Sequence, residues 1–78
     1  MISDLAVAQE LKRVVYEANE RLEESMKLAE VNCPPEEYSA YHKAVGKVVF
    51  AILHSIIEPL YEKNPSLKPP GWDDKTSN

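Results

Sequence analysis

The stretch Val31-Asn32-Cys33-Pro34-Pro35 decides how this chain folds. Two consecutive prolines cannot continue a helix, and a residue that precedes proline is pushed out of the α region. Proline is nevertheless well suited to the first turn of a new helix, where Glu36 and Glu37 complement the positive end of the helix dipole. The stretch therefore predicts a short turn that ends one helix and begins another.

Before this turn, the sequence predicts a helix over residues 4–31. Ser3 is the expected N-cap, and no proline or glycine occurs between Asp4 and Val31. Apolar residues recur at alternating spacings of three and four, which is typical of an amphipathic helix. They are Leu5, Ala8, Leu11, Val15, Ala18, Leu22, Met26 and Ala29, with a second stripe at Val7, Val14 and Leu28.

After the turn, a second helix is predicted over residues 35–63, with a kink at Pro59 and an end at Asn64-Pro65. The run 48–53 is rich in β-branched residues and by itself would suit a strand. The helical spacing continues on both sides of it, however, so we predict a helix. The inward stripe is Tyr38, Tyr41, Val45, Val48, Val49, Ile52, Ile56 and Leu60.

Folding the chain at Cys33 gives an antiparallel hairpin over residues 1–64, in which the numbers of facing residues sum to about 67. The predicted pairs are all apolar: Ala29–Tyr38, Met26–Tyr41, Leu22–Val45, Ala18–Val49, Val15–Ile52 and Leu11–Ile56. Residues 65–78 contain Pro69-Pro70-Gly71 and are predicted to form an extended, irregular tail.

Two helices form a ribbon, which leaves apolar side chains without a partner. We therefore predict an all-α homodimer, in which a second hairpin completes a four-helix bundle. Gly46 either allows close approach of another backbone or is simply exposed. The predicted dimer interface comprises Val7, Val14, Leu28, Gly46, Phe50, Leu53 and Ile57.

The tail has two interpretations. A proline-rich segment loses little entropy on docking and tryptophan is a frequent anchor, so the tail is a candidate for binding a partner protein. The alternative is that Trp72 packs back on its own dimer. The tail residues concerned are Leu67, Pro69, Pro70 and Trp72.

Composition narrows the range of functions. The 78-residue chain has a net charge of −4 and its basic residues are dispersed, so nucleic-acid binding is not expected. The longest apolar run, residues 48–53, is too short to span a bilayer. The N-terminal residues lack the pattern of a signal peptide, and a single cysteine cannot form an internal disulfide. We expect a cytoplasmic protein.

Few residues indicate a catalytic or metal-binding site. His54 and Glu58 have the i,i+4 spacing of two metal ligands, but the Glu-x-x-His pattern of di-iron bundles is absent. Cys33 lies in an exposed turn, and the adjacent Glu36 and Glu37 oppose thiolate formation. We therefore predict no cofactor and no enzymatic activity. The predicted function is a helical interaction or regulatory module; the alternative is a ligand- or metal-binding bundle near His54 and Glu58.

Overall fold

The computed structural model describes residues 1–72 and confirms an all-α hairpin, with no strand among these residues. Helix α1 spans Leu5–Asn32 and helix α2 spans Pro35–Lys63. A short 3-10 helix, Pro65–Leu67, follows α2. The two long helices are joined at Cys33 and Pro34, as the sequence predicts.

Local interactions explain where helices α1 and α2 begin. Asp4 rather than the predicted Ser3 caps α1, because its carboxylate accepts a hydrogen bond of 3.0 Å from the Val7 N–H. Pro34 precedes α2 in an extended conformation, and Pro35 occupies the first turn. Helix α1 thus begins one residue later than predicted and ends one residue later.

Helix α2 widens just before Pro59. Residues Leu53–Ile57 form a π-helical turn, in which the Glu58 N–H donates to the Leu53 carbonyl five residues back. Proline has no N–H and its ring clashes with the carbonyl four residues earlier, so an ordinary α-helical turn is unfavourable here. A π-turn accommodates one additional residue. The predicted disturbance at Pro59 is therefore a widened turn that begins six residues before it.

This widened turn shifts the inward-facing positions by one residue. Near the hairpin turn, Tyr41 hydrogen-bonds to Ser25, the neighbour of its predicted partner Met26, with the two hydroxyls 2.6 Å apart. At the end of the π-turn, Ile57 is 3% exposed and takes the inward position predicted for Ile56, while Leu60 is buried as predicted. The prediction that Ile57 is left over for a dimer interface is therefore wrong, because its own hairpin buries it.

The core lies at the open end of the hairpin, away from the turn. It consists of Ala8, Ile57, Leu60, Tyr61 and Leu67, and the half-buried residues Val15, Ile52, Leu53 and Trp72 pack around it. Asn64 is also buried, and its side-chain amide donates to the Ile2 carbonyl at 2.8 Å. This bond holds the N-terminus against the end of α2.

The tail folds back instead of extending. After the 3-10 helix, the chain turns at Gly71, whose φ of 82° favours glycine, and brings Trp72 onto Tyr61. The prediction of an extended segment is thus wrong for residues 65–72. Residues 73–78, also part of the predicted tail, lie outside the described part of the chain.

Candidate functional site

One side of the hairpin carries an exposed apolar surface that no part of residues 1–72 covers. We call it the open face and define it by six side chains, each more than a third exposed: Val7, Leu11, Val14, Leu28, Tyr41 and Val48. The first four share one side of α1 by helical spacing, and the last two are seven residues apart on α2. Near the hairpin turn, a groove lined by Ser25, Leu28 and Tyr41 brings a residue of each stripe together on one side of the hairpin.

The open face is apolar apart from Arg21, which occupies the helical position between Val14 and Leu28, and its flank is charged. The exposed alanines Ala18 and Ala44 lie in the same stripes, where their small side chains permit close approach of another helix. Beside the stripe on α1, Arg13 hydrogen-bonds to Glu10 and Glu17. The hydrogen bond from Arg13 lowers the pKa of Glu10, which stays ionised at neutral pH. An apolar centre with a charged rim is typical of an interaction surface.

The predicted interface residues do not all belong to this surface. Val7, Val14 and Leu28 all lie on the open face, as their spacing along α1 predicted. Leu53 instead packs against the core on the side covered by the tail. The sequence analysis missed Leu11, Tyr41 and Val48, which it assigned to the inward stripes; their exposure results from the narrow contact between two helices.

Gly46 and Phe50 point away from the open face. Phe50 follows Val48 by two residues, about 200° around a helix, so one flat interface cannot include both. Phe50 is 63% exposed and lies beside Gly46, Lys43 and Lys47. A Cβ added at Gly46 would meet nothing within 4 Å, so close approach within this chain does not require a glycine there.

The opposite side of the hairpin is covered by the tail. The Lys12 ammonium donates to the Leu67 carbonyl at 2.8 Å and lies 5.6 Å and 5.7 Å from the ring centres of Tyr16 and Tyr61. Trp72 meets Tyr61 edge-to-face, with the ring centres 5.0 Å apart. These contacts support the interpretation in which Leu67 and Trp72 pack on their own chain. Pro69 is half-buried and Pro70 is exposed.

Replacing Trp72 with alanine is expected to lower the free energy of unfolding by about 1–3 kcal/mol, because a half-buried aromatic contact is lost. Urea denaturation followed by circular dichroism measures this change at fixed protein concentration. Pro70→Ala, at an exposed position of the same tail, is the control and should have little effect. An unchanged urea midpoint for Trp72→Ala would instead favour the interpretation in which Trp72 binds a partner protein.

Tyr16 and Tyr61 form a hydrogen-bonded pair of phenols, 2.5 Å apart. Burial, together with this bond, raises the pKa of Tyr61 above its ordinary value of 10. Because the folded state holds the proton more tightly, the stabilisation is fully present below pH 10. It is lost as the pH rises further, since the unfolded chain then releases the proton first.

We therefore expect the hairpin to lose stability as the pH rises above about 10. In Tyr61→Phe this loss should be less steep, because the shifted phenol is gone. Urea midpoints measured between pH 8 and pH 11 test the expectation, with Tyr41→Phe, at the other end of the hairpin, as the control. Equal slopes for wild type and Tyr61→Phe would contradict it.

His54 and Glu58 are in contact on the surface of α2. The His54 Nδ1 lies 2.8 Å from a Glu58 carboxylate oxygen, and the His54 ring lies tilted against Phe50, with the ring centres 4.0 Å apart. Among residues 1–72, no group of three or more histidine, cysteine, aspartate or glutamate side chains is placed to hold a metal ion. Cys33 is a free, exposed thiol at the turn. Neither location brings together groups for catalysis.

Helix α2, Pro35–Lys63, is long and apolar enough to cross a membrane when only length and composition are considered. The core helix of a soluble protein passes the same test when it is mostly buried, whereas 22% of the apolar window is buried here. The expectation that the chain does not enter a membrane stays a prediction.

Comparison with known proteins adds no identification. Neither a protein-family model, nor a curated protein, nor a solved structure matches this chain.

Proposed function

We propose that this chain is a small, non-enzymatic helical module that acts as a homodimer in protein interaction or regulation. The open face is the observation that carries the proposal. Two copies that join their open faces around a two-fold axis would form a four-helix bundle. Relative to the interface expected from sequence, this one keeps Val7, Val14 and Leu28 and adds Leu11, Tyr41 and Val48.

The accessible surface of the chain supports association. The chain exposes 5791 Å², whereas a compact monomer of its mass would expose about 4800 Å². Part of this excess belongs to the exposed N-terminal residues 1–4, and the open face is the part that a second copy would cover. A stable interface takes about 800 Å² from each partner. The hairpin is correspondingly elongated and thin, with extents of 44 × 29 × 19 Å.

A second copy suits the open face better than the remaining segment of this chain does. Residues 73–78, Asp-Asp-Lys-Thr-Ser-Asn, contain no apolar side chain. The open face itself is apolar, and a two-fold interface places identical patches against each other.

In this dimer, the outer side of α2 remains free. Phe50, with Lys43 and Lys47 beside it, would then be the apolar anchor available to a further protein. The dispersed basic residues and the acidic net charge favour a protein partner over a nucleic acid. A free, exposed cysteine is usual in a reducing compartment, which supports a cytoplasmic location.

Solution mass measured by light scattering at several concentrations tests the proposal. We expect twice the chain mass of 8.8 kDa, with dissociation only on dilution. Cross-linking between cysteines introduced at position 14 should then join two chains, whereas cysteines at position 31 should not. Cys33→Ala serves as the background for both variants. A folded species of 8.8 kDa at every concentration would overturn the proposal.

A further inference from the structure

A cavity of about 210 Å³ lies between α1 and α2 beneath the tail, on the side opposite the open face. Its wall is almost entirely apolar and includes the single tryptophan of the chain. The apolar lining residues are Val15, Val49, Ile52, Leu53, Ile57 and Trp72. Unlike the groove on the open face, this partly open space is bounded by three segments of the same chain, so a second copy is not needed to form it.

Asn19 gives this cavity a buried acceptor without a partner, because its Oδ1 atom accepts no hydrogen bond. Of the other polar side chains in the lining, Tyr16 has its hydroxyl bonded to Tyr61 at 2.5 Å, and Trp72 carries an indole N–H, which is a donor only. A buried acceptor without a partner is unfavourable, so a molecule that supplies one donor at this point would gain a bond that the protein alone leaves unmade.

Water is a poor occupant for this space. A buried water molecule usually makes two to four hydrogen bonds, whereas most of the lining here is aliphatic and Asn19 Oδ1 is its one buried acceptor without a partner. Apolar walls with a single acceptor instead match an apolar molecule that carries a single donor. The volume is sufficient, because an apolar cavity of about 150 Å³ holds a benzene ring.

We propose that this cavity is a binding site for a small aromatic molecule with one O–H or N–H donor, of the phenol or indole class. The donor would bond to Asn19 Oδ1, and the ring would lie among the aliphatic side chains against Trp72. The edge-to-face contact of Trp72 with Tyr61 holds the indole in place as one wall. The site differs from the predicted ligand site at His54 and Glu58, which lies on the surface of α2.

Two probes of the same shape test the site on the full chain. p-Cresol carries the donor, and toluene has the same methyl-substituted ring without it. Binding is measured by NMR chemical-shift titration, with the Asn19 side-chain amide and the Trp72 indole N–H as reporters. We expect p-cresol to bind at least tenfold more tightly than toluene, and both signals to shift with p-cresol.

Three variants give this comparison its specificity. Asn19→Leu should remove the preference for p-cresol but still allow toluene to bind. Val49→Phe should fill the cavity and abolish binding of both probes, whereas Val31→Phe, at an 80% exposed position beside the turn, should change neither. If Val49→Phe does not fold, Asn19→Leu with the two probes decides the question.

The proposal is overturned if neither probe binds saturably, or if Asn19→Leu leaves the preference for p-cresol unchanged. Either result is independent of the dimer proposal, because the cavity lies within one chain and the titration does not depend on the solution mass.

Discussion

Replacing Val14 with glutamate is expected to dissociate the homodimer and to raise its dissociation constant at least 100-fold. Val14 lies near the centre of the α1 stripe of the open face, about two helical turns from Arg21, the basic residue of that stripe, so a two-fold axis would bury two carboxylates there. Removing charges from water without a partner costs several kcal/mol per ion. The side chain is about half exposed in the single hairpin, so the substitution adds no charge to its core.

Glutamate is also a better helix former than valine, so α1 should not be weakened by this substitution. Sedimentation equilibrium gives the dissociation constant, and circular dichroism shows whether the separated chains remain helical. Val31→Glu is the matched control, because it makes the same change at the 80% exposed end of α1, outside the open face. Equal dissociation constants for Val14→Glu and wild type would show that the open face is not the dimer interface.

Replacing Leu60 with alanine is expected to be the most destabilising single change in the hairpin. Leu60 is 0% exposed and lies in the core between Ala8, Ile57 and Leu67. Removing three buried carbon atoms from a packed position costs about 2–5 kcal/mol, because the lost burial is compounded by the cavity that remains. The total free energy of unfolding of a small domain is only about 5–15 kcal/mol, so this loss would be a large fraction of it.

Thermal and urea unfolding of Leu60→Ala, at matched protein concentration, measure this loss. Leu5→Ala removes the same atoms from a side chain that is half exposed in the first turn of α1, and should cost less than about 1 kcal/mol. Similar losses for the two variants would mean that the open end of the hairpin is not the core of the protein.

The two helices also divide their apolar surface differently. Helix α1 presents Ala8 and Val15 to the core and Val7 and Val14 to the open face. The core and the open face therefore contact neighbouring sides of the same helix. A substitution at Val7 or Val14 is therefore next in sequence to a core residue. Val14→Glu should consequently be compared with wild type in both solution mass and free energy of unfolding.

The sequence by itself determined the all-α hairpin, its turn at Cys33 and Pro34, and helix boundaries to within about one residue. These features depend on local chemistry: two prolines end one helix and begin the next, and spacings of three and four define amphipathic faces. The α1 part of the open face was predictable for the same reason. Val7, Val14 and Leu28 are separated by multiples of seven and form a stripe distinct from the inward one.

Only the tertiary structure decided which apolar side chains of α2 are buried. The middle of this helix is apolar nearly all round, so its pattern indicates no single direction. The π-turn at Leu53–Ile57 then shifts the inward positions by one residue, which buries Ile57 together with Leu60 and Tyr61. The tail covers one side of the hairpin and leaves the other open. That choice depends on contacts between residues far apart in the chain, such as Lys12 with Leu67, which no local pattern encodes.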